Sequence, residues 1–212
     1  MDNTCNNWFA RDRWRELGWM KIDRMKVIET DLPGCVVIEP HVHGDARGFF
    51  YESFNAEKYR KVGLDLQFVQ SNVSRSAQGV LRGLHYQFPN PQGKLVNVLE
   101  GEVYDVAVDI RVGSPTFGRW AAAVLSAANK RHFWVPEGFA HGFAVMSDFA
   151  TFCYQCTAVY DFAADAGIRW NDGDIAVDWP ISAPLLSDKD RAAPFLRDVP
   201  HERLPRYGKI DR

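Results

Sequence analysis

The sequence predicts an all-β domain, a jelly roll or antiparallel β-barrel with a few short peripheral helices. Runs rich in Val, Ile, Phe and Tyr recur from residue 25 to about residue 170, each bounded by glycine, proline or asparagine. No glycine-rich phosphate loop precedes a helical pattern, and the strand–helix alternation of a doubly wound parallel sheet is absent. A length of 212 residues suits one β-domain.

The strand pattern can be followed in chain order. The predicted strands are KVIET, CVVIEP, GFFYESF, LQFVQSNVSRS, VLRGLHYQ, KLVNVLEGEVYDVAVDIR, WAAAVLS, RHFWVPEG, AHGFAVMS and TFCYQCTAVY. Two segments read as short helices, NAEKYRKVG at 55–63, which Gly63 ends, and SDKDRAAPFL at 187–196.

The segment GEVYDVAVDIR indicates how one strand is used. Because successive side chains of a strand alternate between its faces, one face is mixed and the other is apolar. The mixed face holds Val103, Asp105, Ala107 and Asp109, and the apolar face holds Tyr104, Val106, Val108 and Ile110. The mixed face is either a barrel wall beside a ligand cavity or an ordinary solvent-facing side.

The first 24 residues are polar and lack the apolar core and cleavage site of a secretory signal. We predict that residues 1–24 are a flexible extension or an over-long start assignment, and that residues 25–212 form a single domain with a C-terminal tail. No apolar run approaches the length of a membrane span. A net charge of -2 gives no general attraction to nucleic acid or anionic membrane, so neither is an expected partner.

The four cysteines predict no zinc or redox site. CYQC at 153–156 has suitable spacing, but it lies in an apolar strand, where residues three apart face opposite ways, and no second pair completes a zinc site. We interpret these cysteines as buried thiols of a reducing compartment, and the cytoplasm is the expected location.

VLRGLHYQ at 80–87 holds the first candidate functional residues. In a regular strand Arg82 and His85 would point to opposite faces. Gly83 lies between them, and a glycine inside a strand often marks a bulge, which redirects side chains. The segment is therefore either a surface arginine beside a core histidine, or a bulge that turns both groups into one pocket.

The other histidines give one family signature. The segment PEGFAHGF contains His141 and matches the P-x-G-x-x-H pattern of cupin jelly rolls. Metal-binding cupins pair that pattern with H-x-H, but the corresponding residues are His85, Tyr86 and Gln87, so no bound metal is expected. HVH at 41–43 precedes GDARG in an expected turn, and its histidines are expected to be solvated loop residues. His132 is expected at the surface because it follows Lys130 and Arg131.

Several longer motifs together resemble the dTDP-4-dehydrorhamnose 3,5-epimerases over roughly residues 25–205. In order, the motifs are GDARGFFYES, FVQSNVSRS, VLRGLHYQ, PQGKLV, GEVYDVAVDIRVGSPTFGRW, WVPEGFAHGF and IRWND. The resemblance implies a metal-free cupin-type jelly roll, usually a homodimer, that acts on a dTDP-linked 4-keto-6-deoxy sugar without a cofactor.

The resemblance also implies catalytic residues. Epimerisation beside a ketone needs a base, stabilisation of the enolate oxygen, and an acid on the opposite face. His85 matches the family's base, Tyr154 its acid, and Lys94 the residue placed against the enolate oxygen. Asp172 matches the carboxylate partner of the base, although NDGD by itself has turn composition.

The remaining matches are substrate-binding positions. Arg82 and Arg47 match positions used on the sugar nucleotide, whose pyrophosphate needs local cations. The other matching residues are Glu52, Gln70, Asn72, His141 and Asp165, the last standing where the family often has glutamate. We also expect Asp105 to orient His141 from the facing strand.

Three alternatives to a double epimerase stay open from the sequence. A relative could invert only C3 or only C5, or shift the ketone within a nucleotide sugar. A cupin could bind a sugar nucleotide without catalysis, although the set of His85, Asp172, Tyr154 and Lys94 argues against this. A metal-dependent cupin oxygenase is disfavoured by the missing H-x-H motif.

Overall fold

Two antiparallel sheets face each other in the computed structural model, which describes residues 25–208. The leader at 1–24 and the last four residues of the tail lie outside this range. The strands are β1 (Lys26–Glu29), β2 (Val36–Glu39), β3 (Val42–Asp45), β4 (Gly48–Tyr51), β5 (Gln70–Ala77), β6 (Leu81–Gln87), β7 (Lys94–Glu100), β8 (Glu102–Asp109), β9 (Trp120–Ser126), β10 (His132–Val135), β11 (Phe139–Val145), β12 (Phe149–Cys156) and β13 (Asp165–Gly167). The predicted all-β class is confirmed.

The strand order shows how distant segments are brought together. One sheet has the order β1-β2-β10-β7-β12-β5, the other has β13-β6-β11-β8-β9, and β3 and β4 form a separate hairpin. Sequence neighbours such as β6 and β7 therefore lie in different sheets. A substrate between the sheets would contact residues from both halves of the chain.

Both predicted helices are present and shorter than their sequence patterns. Helix α1 (Ala56–Lys61) begins after Asn55, whose side chain accepts hydrogen bonds from the next turn, and Gly63 follows with a positive φ of 84°. Helix α2 (Asp188–Ala192) begins after Ser187, which caps the Asp190 N–H. It ends before Pro194, because a proline disfavours helical backbone in the residue before it.

The mixed face of β8 points inward, so it is a wall of the interior and not a solvent-facing side. Val103 and Ala107 belong to the apolar cluster between the sheets, which also contains Val96 and Phe152 from the facing sheet. The apolar face of β8 points outward, and the C-terminal segment covers it with residues such as Ile168. Asp105 and Asp109 are consequently fully buried.

The β3–β4 hairpin lies against the outward side of the six-stranded sheet. The Tyr51 ring is 6.2 Å from the His132 ring, and Lys130 lies 3.9 Å from the centre of the Phe49 ring. Because Phe133 packs between the sheets, its neighbour His132 faces outward. His43 lies in β3, so the prediction that it is a loop residue is wrong, but it is exposed as predicted.

His132 is buried, which corrects the prediction that it lies at the surface. It is 2% exposed, because the outward side of the sheet is covered there by α1. Its Nδ1 is 3.2 Å from the Tyr59 hydroxyl, whereas its Nε2 has no hydrogen-bond partner. Burial lowers the pKa of His132 from 6.5 to about 4.

We therefore expect acid to destabilise the protein through His132. The unfolded chain binds the proton more readily, so the contribution of His132 is complete above pH 6.5 and is lost as the pH falls to about 4. The loss corresponds to about 3 kcal/mol. Urea unfolding at several pH values measures it in wild type and in His132→Gln. Equal pH slopes for the two proteins would contradict this assignment.

Candidate active site

A bulge in β6 turns Arg82 and His85 to the same face. His85 pairs with His141 on β11, and Arg82 pairs with Phe143, so three residue steps on β6 match two on β11. His141 and Phe143 are two apart on a regular strand and share a face, and residues directly opposite each other share it too. The predicted bulge at Gly83 is confirmed.

At the bulge Gly83 on β6 faces Gly142 on β11, and the two backbones approach closely. A Cβ at Gly83 would lie 2.5 Å from the Gly142 Cα and 2.8 Å from the His141 carbonyl oxygen, and Gly83 has a φ of 126°. The two backbones are therefore too close for any side chain at this position.

The face that carries Arg82 and His85 looks toward the six-stranded sheet. The Phe143 and Phe152 rings stack with their centres 4.1 Å apart, and the Arg82 Nε donates to Ser76 Oγ across the gap at 3.1 Å. These contacts join β6 and β11 to β12 and β5. His85 therefore opens into the space between the sheets.

The carboxylate that contacts His85 is Asp190, not Asp172. The His85 Nε2 lies 2.5 Å from Asp190 Oδ1. Asp190 belongs to α2 and is 4% exposed. This corrects the prediction that Asp172 is the partner of His85.

Asp172 fixes a turn instead. It is 2% exposed, and one oxygen accepts hydrogen bonds from the backbone N–H groups of Asp174 and Ile175. Its other oxygen accepts the Leu196 N–H at 2.7 Å. The turn composition of NDGD, noted in the sequence, describes this residue correctly, because both carboxylate oxygens are engaged by backbone amides.

Asp190 is held in the ionised form. Burial opposes its charge, but hydrogen bonds from His85, the Ser187 hydroxyl and the Gly83 N–H outweigh that effect and lower its pKa. An ionised carboxylate only accepts hydrogen bonds, so the His85 Nε2 must carry a proton. The neutral ring then has its lone pair on Nδ1, which makes Nδ1 the basic atom.

Tyr154 lies on the opposite wall of the same space. It shares the inward face of β12 with Phe152, and the two ring centres are 5.9 Å apart. Phe152 in turn stacks against His141, the cross-strand neighbour of His85, at 6.2 Å. Burial raises the pKa of Tyr154, so its hydroxyl stays protonated and can act as an acid.

Lys94 opens β7 on the same wall as Tyr154. Tyr154 pairs with Val96 and Cys156 pairs with Lys94, so these side chains point into the space between the sheets. Burial and the charge of Lys189 lower the pKa of Lys94, whereas Cys156, Asp165 and Asp105 act in the opposite direction. An ammonium in such a partly desolvated position can stabilise a negative oxygen strongly.

His141 forms a second histidine–carboxylate pair. Its Nε2 lies 2.9 Å from one oxygen of Asp105 and 3.1 Å from the other. Asp105 is fully buried, and His141 is 7% exposed. The expectation that Asp105 orients His141 is confirmed.

Three further predicted binding residues lie around the same space. Gln70 and Asn72 pair with Cys156 and Tyr154, so both point inward, and the Gln70 Nε2 donates to Asn72 Oδ1 at 3.1 Å. Asp165 lies on the rim, where it accepts the Tyr160 hydroxyl at 2.8 Å and pairs with the Lys189 ammonium.

Arg47 and Glu52 lie away from this space within one protomer. Arg47 is on the turn of the β3–β4 hairpin, where its guanidinium pairs with Asp45, and its side chain is 90% exposed. Glu52 pairs with Lys58 of α1. Hairpin and helix both cover the outward side of the six-stranded sheet, so that sheet separates these two residues from His85.

The sequence reasoning missed Asp190, the carboxylate that contacts His85. Asp190 belongs to the SDKD segment, whose pattern predicts only the start of a helix. The Ser187 cap predicts where that helix begins. It does not predict that the helix docks beside β6, which is what brings Asp190 to His85.

Fold and site together define a class of protein: a cupin-type jelly roll with an imidazole and a phenol on opposing walls of one space. Within residues 25–208, no three His, Cys, Asp or Glu side chains cluster closely enough to hold a metal ion. Nor does any helix in that range have the length and apolarity to cross a membrane.

Comparison with known proteins identifies the family. The family model described as dTDP-4-dehydrorhamnose 3,5-epimerase matches residues 29–198. A dTDP-4-dehydrorhamnose 3,5-epimerase of Shigella flexneri is 55% identical over 168 residues, 78% of this chain and 93% of that protein. The chain belongs to the dTDP-4-dehydrorhamnose 3,5-epimerase family.

Two solved structures are informative relatives. The dTDP-6-deoxy-D-glucose-3,5-epimerase of Legionella pneumophila, in complex with dTDP-4-keto-L-rhamnose, has 54% identity and a TM-score of 0.84, covering 86% of this chain and 98% of that chain. A 3′-monoepimerase from Streptomyces bikiniensis, in complex with dTDP-quinovose, has 36% identity and a TM-score of 0.79, covering 85% and 93%.

Proposed function

We propose that this protein inverts C3 and C5 of dTDP-4-dehydro-6-deoxy-D-glucose and so forms dTDP-4-dehydro-L-rhamnose, a step of dTDP-rhamnose biosynthesis. Family membership and the identity to 3,5-epimerases support this reaction. The structural observation that carries the proposal is the placement of His85 and Tyr154 on opposing walls of one space.

The residues act in a defined order. The Nδ1 of His85 removes the proton from a carbon beside the C4 ketone, and the C–H electron pair forms an enolate whose charge is on the C4 oxygen. The Lys94 ammonium stabilises that oxygen. Tyr154 then donates its phenolic proton to the opposite face of the carbon, which inverts it.

The two proton carriers must be reset before the second inversion. After one inversion His85 carries an extra proton and Tyr154 has lost one. Water takes the proton from the imidazolium and returns one to the phenolate, so the protein ends unchanged. Asp190 stabilises the imidazolium in the interval, as a triad aspartate does. Arg82, Gln70, Asn72, His141 and Asp165 are proposed to bind the sugar nucleotide.

Incubation with dTDP-4-dehydro-6-deoxy-D-glucose in deuterated water, followed by NMR, tests the function. We expect deuterium at both C3 and C5 and a product with both carbons inverted. Label and inversion at C3 alone would indicate a 3′-monoepimerase, as the Streptomyces bikiniensis relative is named. Binding of dTDP without any label would indicate a sugar-nucleotide-binding protein without catalysis.

We expect Tyr154→Phe to separate proton removal from inversion. The variant keeps His85, so exchange on one face continues, but it has no hydroxyl to protonate the other face. Net inversion should fall by roughly 10²–10⁴-fold, while deuterium still enters recovered substrate. NMR of substrate and product pools measures both quantities. Inversion at the wild-type rate would remove Tyr154 from the role of acid.

We also propose that the protein is a homodimer in which the β3–β4 hairpin packs on the partner. Phe49 and Phe50 of the hairpin are 63% and 69% exposed, and among residues 25–208 the hairpin pairs with no other strand. β5 is an edge strand, and Val73 on its outward side is 65% exposed. A hairpin alone is marginally stable, so contact with a second copy would stabilise it.

This arrangement would explain Arg47, which matches a binding position but cannot reach the site of its own protomer. In a mixed dimer of Arg47→Ala and His85→Ala subunits, one site would carry both defects and the other would carry neither. We expect co-refolded mixtures of the two variants to regain about a quarter of wild-type activity, because half of the dimers are mixed. No recovery would show that Arg47 is not supplied by the partner.

The cytoplasm is the compartment we propose. Cys35, Cys153 and Cys156 are free thiols, which suits a reducing environment.

A further inference from the structure

The neighbours of Lys94 on the cavity face are uncharged. Cys156 lies opposite Lys94 on β12, and Val135 lies opposite it on β10. The next inward residue on its own strand is Val96, which is fully buried. Within residues 25–208 Lys94 forms no ion pair with a carboxylate. After burial, the largest influence on the pKa of Lys94 is Cys156, which raises it; Asp165 and Asp105 also raise it, and Lys189 lowers it.

Cys156 is the one of these neighbours that can make polar contacts. It is 1% exposed, and its Sγ lies 3.9 Å from the Asn72 Nδ2, which can donate to it. Asn72 also accepts a hydrogen bond from Gln70. Lys94, Cys156 and Gln70 are in register across three strands, and Asn72 lies at the next inward position, opposite Tyr154. The thiol therefore lies between the ammonium and the two amides.

We propose that Cys156 is a positioning residue for the epimerisation: its uncharged side chain fills the place beside Lys94 and leaves the ammonium free to face the enolate oxygen. The inference rests on the proposed function and assigns a role to a residue outside the base, the acid and the enolate stabiliser. A carboxylate at position 156 would instead pair with Lys94 across the strands.

Burial keeps the thiol in this neutral state. It raises the pKa of Cys156, although Lys94 and Asn72 act in the opposite direction. A thiolate beside the ammonium would neutralise the charge that the reaction uses. An uncharged neighbour does not compete with the enolate oxygen for the Lys94 ammonium. A buried ion pair would have to be broken before Lys94 could contact that oxygen.

Cys156→Asp and Cys156→Asn test the proposal as a matched pair, since the two side chains have nearly the same shape and differ in charge. We expect kcat of the Asn variant to stay within about 10-fold of wild type, and kcat of the Asp variant to fall by a further ~10²-fold, the scale of losing one donor to an oxyanion. Equal losses in both variants, or no loss in the Asp variant, would overturn the proposal.

A double-variant cycle shows whether the effect passes through Lys94. Adding Cys156→Asp to Lys94→Met should cost little more than Lys94→Met alone, because the ammonium is already absent. Additive losses would mean that position 156 acts by another route. If the Asp variant does not fold, Cys156→Ser is measured instead. Activity of Cys156→Ser as low as that of Lys94→Met would overturn the proposal. Wild-type protein measured in parallel tests the epimerase function itself.

Discussion

His85→Ala should lose activity by roughly 10²–10⁴-fold, the usual contribution of a general base. The change removes the Nδ1 lone pair that we assign to proton removal, and the alanine side chain supplies no basic atom in its place. Deuterium incorporation at both C3 and C5 should fall together, because one base is proposed to serve both carbons. NMR in deuterated water measures both sites in one experiment.

Two controls make this result specific. His85→Ala should still bind dTDP, since the proposed nucleotide-binding residues are unchanged, and calorimetric titration checks this. His141→Asn alters the neighbouring histidine on β11 and should affect binding more than exchange. If His85→Ala exchanged either proton at the wild-type rate, His85 would not be the base for that carbon.

Asp190→Asn should be about as severe, with kcat reduced by up to roughly 10⁴-fold, the loss that follows the same change in a catalytic triad. The asparagine amide could donate a hydrogen bond to Nε2, which would favour the ring tautomer with its proton on Nδ1. The basic lone pair would then point away from the substrate. Substrate binding should change much less, because the contact lies behind the imidazole.

Asp172→Asn is the matched control, and it separates the structural assignment from the one suggested by the resemblance. Asp172 accepts three backbone N–H groups, one of them from Leu196. Its replacement should lower the free energy of unfolding by about 1–3 kcal/mol, with nearly normal kcat in the folded fraction. A large loss of kcat in Asp172→Asn together with an active Asp190→Asn would reverse the two roles.

Local patterns predicted the parts of the fold that depend on local chemistry. Alternating apolar residues marked the strands, Gly63 marked the end of α1, and Gly83 marked the bulge. In each case the decisive contact lies within a few residues or between paired strands. The split of one long predicted strand into β7 and β8 follows from Gly101, which has a φ of 77°.

The errors concern contacts between distant segments. His85 and Asp190 are 105 residues apart, and only the docking of α2 beside β6 brings them together. His132 follows two charged residues, but its exposure is decided by α1, which packs over that side of the sheet. The match of Arg47 and Glu52 to binding positions stays a prediction: a sheet separates them from the cavity of their own protomer, and we propose that Arg47 serves the partner.

The most direct test of the account is a crystal structure of the protein with the 4-keto sugar nucleotide or its product bound. The account predicts the sugar ring between the sheets, with His85 Nδ1 and Tyr154 Oη on opposite faces of the ring and each about 3–3.5 Å from its reacting carbon. Lys94 should contact the C4 oxygen. Both groups on the same face of the sugar, or a sugar bound outside the space between the sheets, would contradict it.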